Sequence, residues 1–432
     1  MKEKLFTRNF VLLVLGQASS LFGNYILRLA LSMYVLETTG SAAIFAGILS
    51  IAIVPTILLS PFGGILADRM DRRKLMVVLD TLTSISVFCG AVFLWENQGL
   101  TVISVLLVAL SVFGAFETPT VQACIPQMLT GDNIIRGNAV VNQVASLSYL
   151  TGPFLGGVLY TAFGLKPVMY ASVVCFLITA LLECFIKLDY EPGVYSGNVL
   201  SMIKNDFLSS VQFMTRERRD ILKMLFLVAL SRFFVMGVTL VGLPFLVRTL
   251  LGLDAKYYGG AESALAVATI LGSLGAGLLT GRMKAGRLSW VLAAMGVCML
   301  PAGLVFLFPS GIALRYVVHV IAFAGTQAAI SIFSIFAVSL IQQNTPNHLL
   351  GKVMAYTGAI TMCTQPAGQM VYGFLFDGFR EAVYLVLLST GILVCGIGLA
   401  SAEFFRSLEK NKNIRSDGAD EKREDGDYHI HQ

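Results

Sequence analysis

The chain has 432 residues, of which 56% are hydrophobic and only 13% charged, and no soluble core of this length hides so much apolar surface. That composition excludes a soluble globular protein and places the chain in a bilayer. The formal charge of +5 does not point to nucleic acid, because Lys and Arg sort by segment along the chain and form no single basic face.

Apolar runs of the ~20 residues needed to cross the hydrocarbon as a helix fall at about 10–36, 42–66, 75–95, 100–122, 139–161 and 167–187 in the first half. In the second half they fall at about 222–247, 258–280, 289–308, 312–341, 354–376 and 381–403. The expected fold is all-α and integral to the membrane, with twelve transmembrane helices. The first run is too long for a signal-peptide core and is read as a retained span. Residues 188–221 break the pattern as a polar linker, in which Phe207, Leu208, Val211, Phe213 and Met214 suggest a short amphipathic helix on the membrane surface, or a simple tether. From 404 to 432 the chain turns charged and nearly free of large apolar residues, the composition of a disordered tail.

With the N-terminus in the cytoplasm, the inner segments hold 24 of the 31 Lys and Arg residues, which fixes both termini inside by the positive-inside rule. The seven cysteines fall in or at the edge of apolar spans, and only His319 of the four histidines lies within a span, so neither a metal site nor a cofactor is expected. The chain has no G-x-x-x-x-G-K-[ST] loop and no nucleophile motif, which reads against an ATP-driven pump and against an enzyme.

A duplication runs through the pattern. Gly64-Ile65-Leu66-Ala67-Asp68-Arg69-Met70-Asp71-Arg72-Arg73-Lys74 follows span 2, and a worn copy, Gly277-Leu278-Leu279-Thr280-Gly281-Arg282-Met283, follows span 8 at an offset of 213 residues. Thr130-Gly131-Asp132 and Thr345-Pro346-Asn347 repeat at 215, and Gly157-Val158-Leu159-Tyr160 and Gly373-Phe374-Leu375-Phe376 at 216. Two six-helix halves are expected, 1–187 and 222–403, enclosing a central path in the manner of a transporter.

The loop after span 2 resembles the loop signature of the major facilitator superfamily, over roughly residues 8–403. The chain looks most like the bacterial drug-exporter subgroup that includes macrolide-efflux and siderophore-export proteins. Gly16-Gln17, Thr39-Gly40-Ser41, Asp71, Asp80, Thr118-Pro119 and Leu350-Gly351-Lys352-Val353 carry that likeness. Span 5 carries Gly152-Pro153-Phe154-Leu155-Gly156-Gly157, which resembles the exporters' motif G-x8-G-x3-G-P-x2-G-G, with Ala139 and Ser148 in place of its first two glycines. A second departure is Leu110, where many proton-coupled exporters have an arginine in span 4.

In chemical terms, Gly64 permits close helix approach, and Asp68 suits the positive N-terminal end of a helix in the other half, plausibly span 11. Arg69, Arg72 and Arg73 would tie the loop to carboxylates such as Asp132 or to lipid headgroups, or serve topology alone. Small residues in span 5 at Gly152, Gly156 and Gly157, with Pro153 loosening the backbone, suit close packing on the opposite half.

Polar residues inside spans are costly and so mark candidate sites. Gln17, Asn24 and Arg28 share one face of span 1, directed at a cavity, though Arg28 is also placed to snorkel outward. Glu117 and Glu262 are the protonation candidates, with Glu117 alternatively a partner of the loop arginines. Arg232 interrupts span 7, and Asp80 reads as a brace for the arginine loop. His319, Phe323 and Gln327 share a face of span 10, and Thr361, Gln365 and Gln369 a face of span 11. They suit either a cavity or interhelical hydrogen bonds.

The resulting expectation is a monomeric multi-pass protein of the bacterial cytoplasmic membrane, surrounded by lipid. It would act as a secondary transporter coupling protons to the efflux of small amphipathic substrates such as macrolides. The alternatives are export of an endogenous siderophore or peptide antibiotic, an uptake permease, or a non-transporting membrane sensor.

Overall fold

The computed structural model describes residues 5–94, 99–188, 218–279 and 283–410, apart from the side chains at 61, 64, 65, 68, 69, 347–352, 355 and 356. Twelve long helices follow in chain order: α1 Arg8–Thr39, α2 Ala42–Arg69, α3 Arg72–Val92, α4 Gly99–Met128, α5 Asp132–Phe163 and α6 Leu165–Cys184. Then come α7 Arg219–Leu250, α8 Ala255–Leu279, α9 Leu288–Leu304, α10 Ile312–Gln343, α11 Asn347–Gly378 and α12 Val383–Ala400. Among the described residues these twelve long helices match the twelve apolar runs, so the all-α membrane fold stands.

Short turns are built by the residues that carry them. Gly40 takes φ of 59° to end α1, and its N–H bonds back to the Leu36 carbonyl. Ser41 then starts α2, its hydroxyl accepting from the Ile44 N–H at 3.1 Å. Asp71 starts α3 the same way, accepting from the Arg73 and Lys74 N–H groups at 3.1 and 3.3 Å. Its short carboxylate satisfies donors that a glycine there would leave open.

Ten of these helices are long and apolar enough to cross a membrane by composition; α5 and α11 are not among the ten. These two correspond through the internal repeat. Each carries a proline inside it, Pro153 and Pro366. Their polar surface must therefore be covered by protein or by a wet cavity.

The chain divides into two compact units. The first comprises Met1–Val199, Met236–Val267 and Met362–Arg380, and the second Leu200–Val235, Ala268–Thr361 and Glu381–Gln432. Helices α7, α8 and α11 are thus shared between them. Near the α7 boundary, Val238–Gly242 and Phe245–Leu250 wind as π-helix. Pro244 between them lacks an N–H for the ordinary helical ladder, a recognised cause of such widening.

In the first unit α1 and α6 are joined by a polar seam. The Ser19 hydroxyl donates to the Cys175 carbonyl at 2.8 Å, Thr179 to Gly16 at 3.0 Å and Ser172 to Gly23 at 3.2 Å. In the second unit α9 and α12 meet backbone to backbone, and a Cβ on Gly398 would lie 2.7 Å from the Ala293 Cα. α12 does not give way to a tail at residue 404. Helix continues to Lys410 because Phe405 is fully buried and packs edge-on against Phe333. The segment proposed as an amphipathic linker helix, and residues 411–432, lie outside the described residues.

Gly398→Leu is expected to lower thermal stability by overpacking, by about 1–3 kcal/mol, whereas Gly396→Leu, which meets nothing within 4 Å on the same helix, should melt like the wild type. Melting of the purified proteins in one detergent checks this; equal melting temperatures would contradict the α9–α12 seam.

Candidate functional site

A cavity of about 390 Å³ lies within the first unit, lined by residues of α1, α2, α4, α5, α7, α8 and α11. Its apolar walls include Leu29, Phe45, Leu49, Ile53, Leu107 and Leu240. Three tyrosines face it, Tyr25, Tyr149 and Tyr258, the first two edge to face at 5.7 Å between ring centres. Neutral polar groups come from Ser32, Thr56, Ser111, Gln365 and Gln369.

Arg28 and Glu262 supply the charged groups of this wall. Arg28 lies deep in the bundle with its side chain open to the cavity, and its Nε donates to the Asn24 Oδ1 at 2.6 Å. Tyr258, one turn earlier on α8, stands beside Glu262 in this wall. Arg28 therefore faces the cavity and does not snorkel away from it. A mostly apolar, aromatic wall with a few convergent polar groups is the usual form of a site for an amphipathic small molecule.

Toward the basic-loop end of the same unit lies a cluster of carboxyls. The Ser20 hydroxyl stands 3.2 Å from the Asp80 Oδ1 and 3.3 Å from the Glu117 Oε1. Asp80 and Glu183 are both fully buried and adjoin each other, and Gln17, only 6% exposed, stands beside Glu117. This corrects the reading of Asp80 as a brace for the loop arginines, because its bond is to Ser20 of α1. Glu183 was passed over in the sequence because it closes an apolar span just ahead of Lys187, where a carboxylate normally reaches water.

Arg72 and Arg73 bond to backbone. Arg72 donates to the Ala67 and Ala123 carbonyls at 2.9 and 2.7 Å, and Arg73 to the Cys184 carbonyl at 2.7 Å. Cations here answer the carbonyl-rich ends of α2 and α6. The side chains of Gly64, Asp68 and Arg69 lie outside the described residues. Gly63, the neighbour of Gly64, brings α2 close to α4, where a Cβ would meet the Ala115 carbonyl and lie 2.9 Å from Pro119.

In span 5 the glycines divide between two neighbours. Gly152 and Gly156 press on Tyr25 and Ile26 of α1, contrary to the expectation that they meet the other half. Gly157 faces the Ala255 carbonyl, where a Cβ would lie at 2.6 Å, and Gly259 of α8 faces the Pro153 carbonyl. Successive residues of a helix point about 100° apart, so one run of glycines serves both contacts.

In the second unit His319 and Phe323 do not line a cavity. They are 0% and 1% exposed, with the His319 Nδ1 2.5 Å from the Arg315 carbonyl and its ring packed edge-on against Phe306. That face of α10 packs on α9, where the Thr326 hydroxyl also reaches the Met295 carbonyl at 3.4 Å. Gln327 and Arg232 are half-buried, with Gln327 Oε1 and Arg232 Nε making no hydrogen bond among the described residues.

The end of the first unit opposite the basic loop is tied by groups that the sequence did not single out. Glu37 at the end of α1 pairs with Arg248 of α7 and accepts from the Tyr160 hydroxyl of α5 at 2.6 Å. Asp377 of α11 reaches the first turn of α2, bonding Ser41, Ala42 and Ala43.

Comparison with known proteins fits this architecture. The Major Facilitator Superfamily profile matches residues 13–364. Macrolide efflux protein A of Streptococcus pyogenes is 24% identical over 395 residues, covering 88% of this chain and 92% of that protein. The multidrug efflux pump Tap of Mycolicibacterium fortuitum is 23% identical over 396 residues, covering 90% and 94%. Among solved structures, a POT family transporter in complex with 5-aminolevulinic acid superposes with a TM-score of 0.70 at 11% identity, over 93% of this chain and 96% of that one. Twelve membrane helices, an internal cavity and a profile match across most of the length together show that the chain belongs to the Major Facilitator Superfamily and is a multi-pass membrane transporter, not an enzyme.

Proposed function

We propose that this protein is a proton-driven exporter of amphipathic compounds, macrolides among them, working by alternating access. The observation that carries the reading is the cavity, where Arg28 and Glu262 stand among tyrosines, glutamines and aliphatic walls. Such a wall holds a large apolar body by burial and orients it through a few polar groups. The two efflux proteins to which the chain is similar over most of its length favour outward transport of such compounds.

The basic loop at 69–74 faces the cytoplasm in this scheme, as do both termini, since 24 of 31 cationic residues lie on that side. Residues 1–187 and 222–403 act as the two rocking halves. The π-helical winding of α7 and Pro366 of α11 give the second half's helices places to bend. Asp68, at the basic-loop end of α2, is the charge proposed to act in the inner gate.

Glu262 and Glu117 are the groups proposed to exchange the proton. For Glu117 the support is stoichiometric. One Ser20 hydroxyl has one proton to donate, yet it lies within bonding distance of two carboxyls. The second contact is a full hydrogen bond only when that carboxyl itself holds a proton. For Glu262 the support is position, because a carboxyl in the cavity wall meets both substrate and entering water.

The reading is tested by energised inverted membrane vesicles, which should accumulate a labelled macrolide and lose it when an uncoupler is added. No accumulation across a panel of amphipathic compounds would refute it. Within that assay, Glu262→Gln and Glu117→Gln fix a neutral group of the same size. At least one is expected to bring uphill transport down to the de-energised level while leaving macrolide binding within about threefold of wild type. If both variants keep full, uncoupler-sensitive accumulation, neither carboxyl is the coupling group. Asp68→Asn should insert normally and yet lose transport, because it removes a gate charge and leaves the positive-inside signal intact. Wild-type rates from Asp68→Asn at matched membrane levels would remove Asp68 from the gate.

A further inference from the structure

We propose that Asp377 is a gating residue of the outer exit, whose carboxylate clamps the N-terminus of α2 while that exit is closed and releases it when substrate leaves. The inference rests on the alternating-access reading above and names a residue that neither the loop motif nor the span-5 motif contains.

The geometry is specific. Asp377 lies in the last turn of α11, and its Oδ2 accepts from the Ser41 hydroxyl at 2.5 Å and from the Ala43 N–H at 2.9 Å, while its Oδ1 accepts from the Ala42 N–H at 2.7 Å. The N–H groups of Ala42 and Ala43 belong to the opening turn of α2, which has no intrahelical acceptors for them. Ser41 takes part on both sides, since its oxygen also accepts from the Ile44 N–H. A carboxylate at this place opposes the negative end of its own helix and answers the positive end of another. It therefore gains from docking on α2 and gains nothing from α11, which suits a contact that forms in one state and breaks in the next.

Other contacts show that the clamp closes a continuous seam. One turn before Asp377, a Cβ on Gly373 would lie 2.6 Å from the Ala46 Cβ and 2.9 Å from the Ala42 carbonyl oxygen. Further along, the Ser50 hydroxyl lies 3.1 Å from the Pro366 carbonyl. At the same end, Arg248 pairs with Glu37 and donates to the Leu253 carbonyl at 2.5 Å. That ion pair is half-exposed, and such pairs hold weakly. The clamp at Asp377 is half-buried and draws on two backbone donors, so it is the stronger hold.

The test reads gate opening directly. A cysteine is placed at Ser32, in the cavity wall, and a membrane-impermeant maleimide is added to intact cells, with the native-cysteine parent as background. In the Asp377→Ala background this site should label about tenfold faster than with Asp377 present, since the rate follows the population of the outward-open state. Asp377→Asn should fall between the two, and Ser41→Ala should raise the rate less than Asp377→Ala. An unchanged rate in Asp377→Ala at matched membrane expression would overturn the proposal. So would a rise in Asp377→Ala matched by Phe374→Ala, a substitution of an exposed side chain on the same helix, which would show general loosening.

A second variant guards against misfolding. The pair Ser41→Cys and Asp377→Cys, oxidised with copper phenanthroline, should stop transport, and a reductant should restore it. Continued transport by the fully cross-linked protein would overturn the clamp. The labelling arm does not depend on any substrate. If the wild type exports nothing, the functional reading fails while labelling still decides the clamp.

Discussion

Everything in this molecule follows from the scarcity of hydrogen-bond partners in hydrocarbon. A polar side chain in a membrane helix must be answered by another helix or must face a wet cavity. Helices α5 and α11 are the two that are not apolar enough to be recognised as spans by composition. Both are built into the cavity wall, α5 through Tyr149 and Pro153 and α11 through Met362, Gln365 and Gln369. Their polarity is thus a consequence of position, and the position is what a transport path requires.

Where helices must meet closely, the chain removes side chains. The Gly259–Pro153 and Gly398–Ala293 contacts bring backbones together, so that packing and aligned carbonyls replace the hydrophobic drive that lipid cannot supply. The carboxyl cluster at Ser20 is the exception to this economy. Asp80, Glu117 and Glu183 lie together in the first unit, at a cost that packing alone does not justify. Ionisable groups inside a membrane are costly and mark candidate functional sites.

Much of this was legible in the sequence, because span length and cationic loops are set by the thickness and chemistry of the bilayer. The twelve helices follow from local rules, and the shared face of Gln17, Asn24 and Arg28 offered a cavity as one of two readings for Arg28. What could not be read is which neighbour a given face meets. His319 and Phe323 do share a helical face, but that face packs on α9, and periodicity does not distinguish a helix neighbour from a cavity. The same limit split the glycines of span 5 between α1 and α8. Asp377 and Glu37 escaped notice because each closes a helix beside a loop, where acidic residues are ordinary. Their partners, Ser41 and Arg248, stand hundreds of residues away in the chain.

The central claim is that substrate is held in the wall formed by Arg28, Tyr149, Glu262 and Gln365. The most direct measurement is a cryo-electron microscopy map of the protein in lipid nanodiscs with a saturating macrolide. The account predicts density against Tyr149, Glu262 and Gln365, absent from a map without the compound. Density found only in the second unit, around Gln327 or in the apolar groove between Phe226 and Phe404, would contradict it.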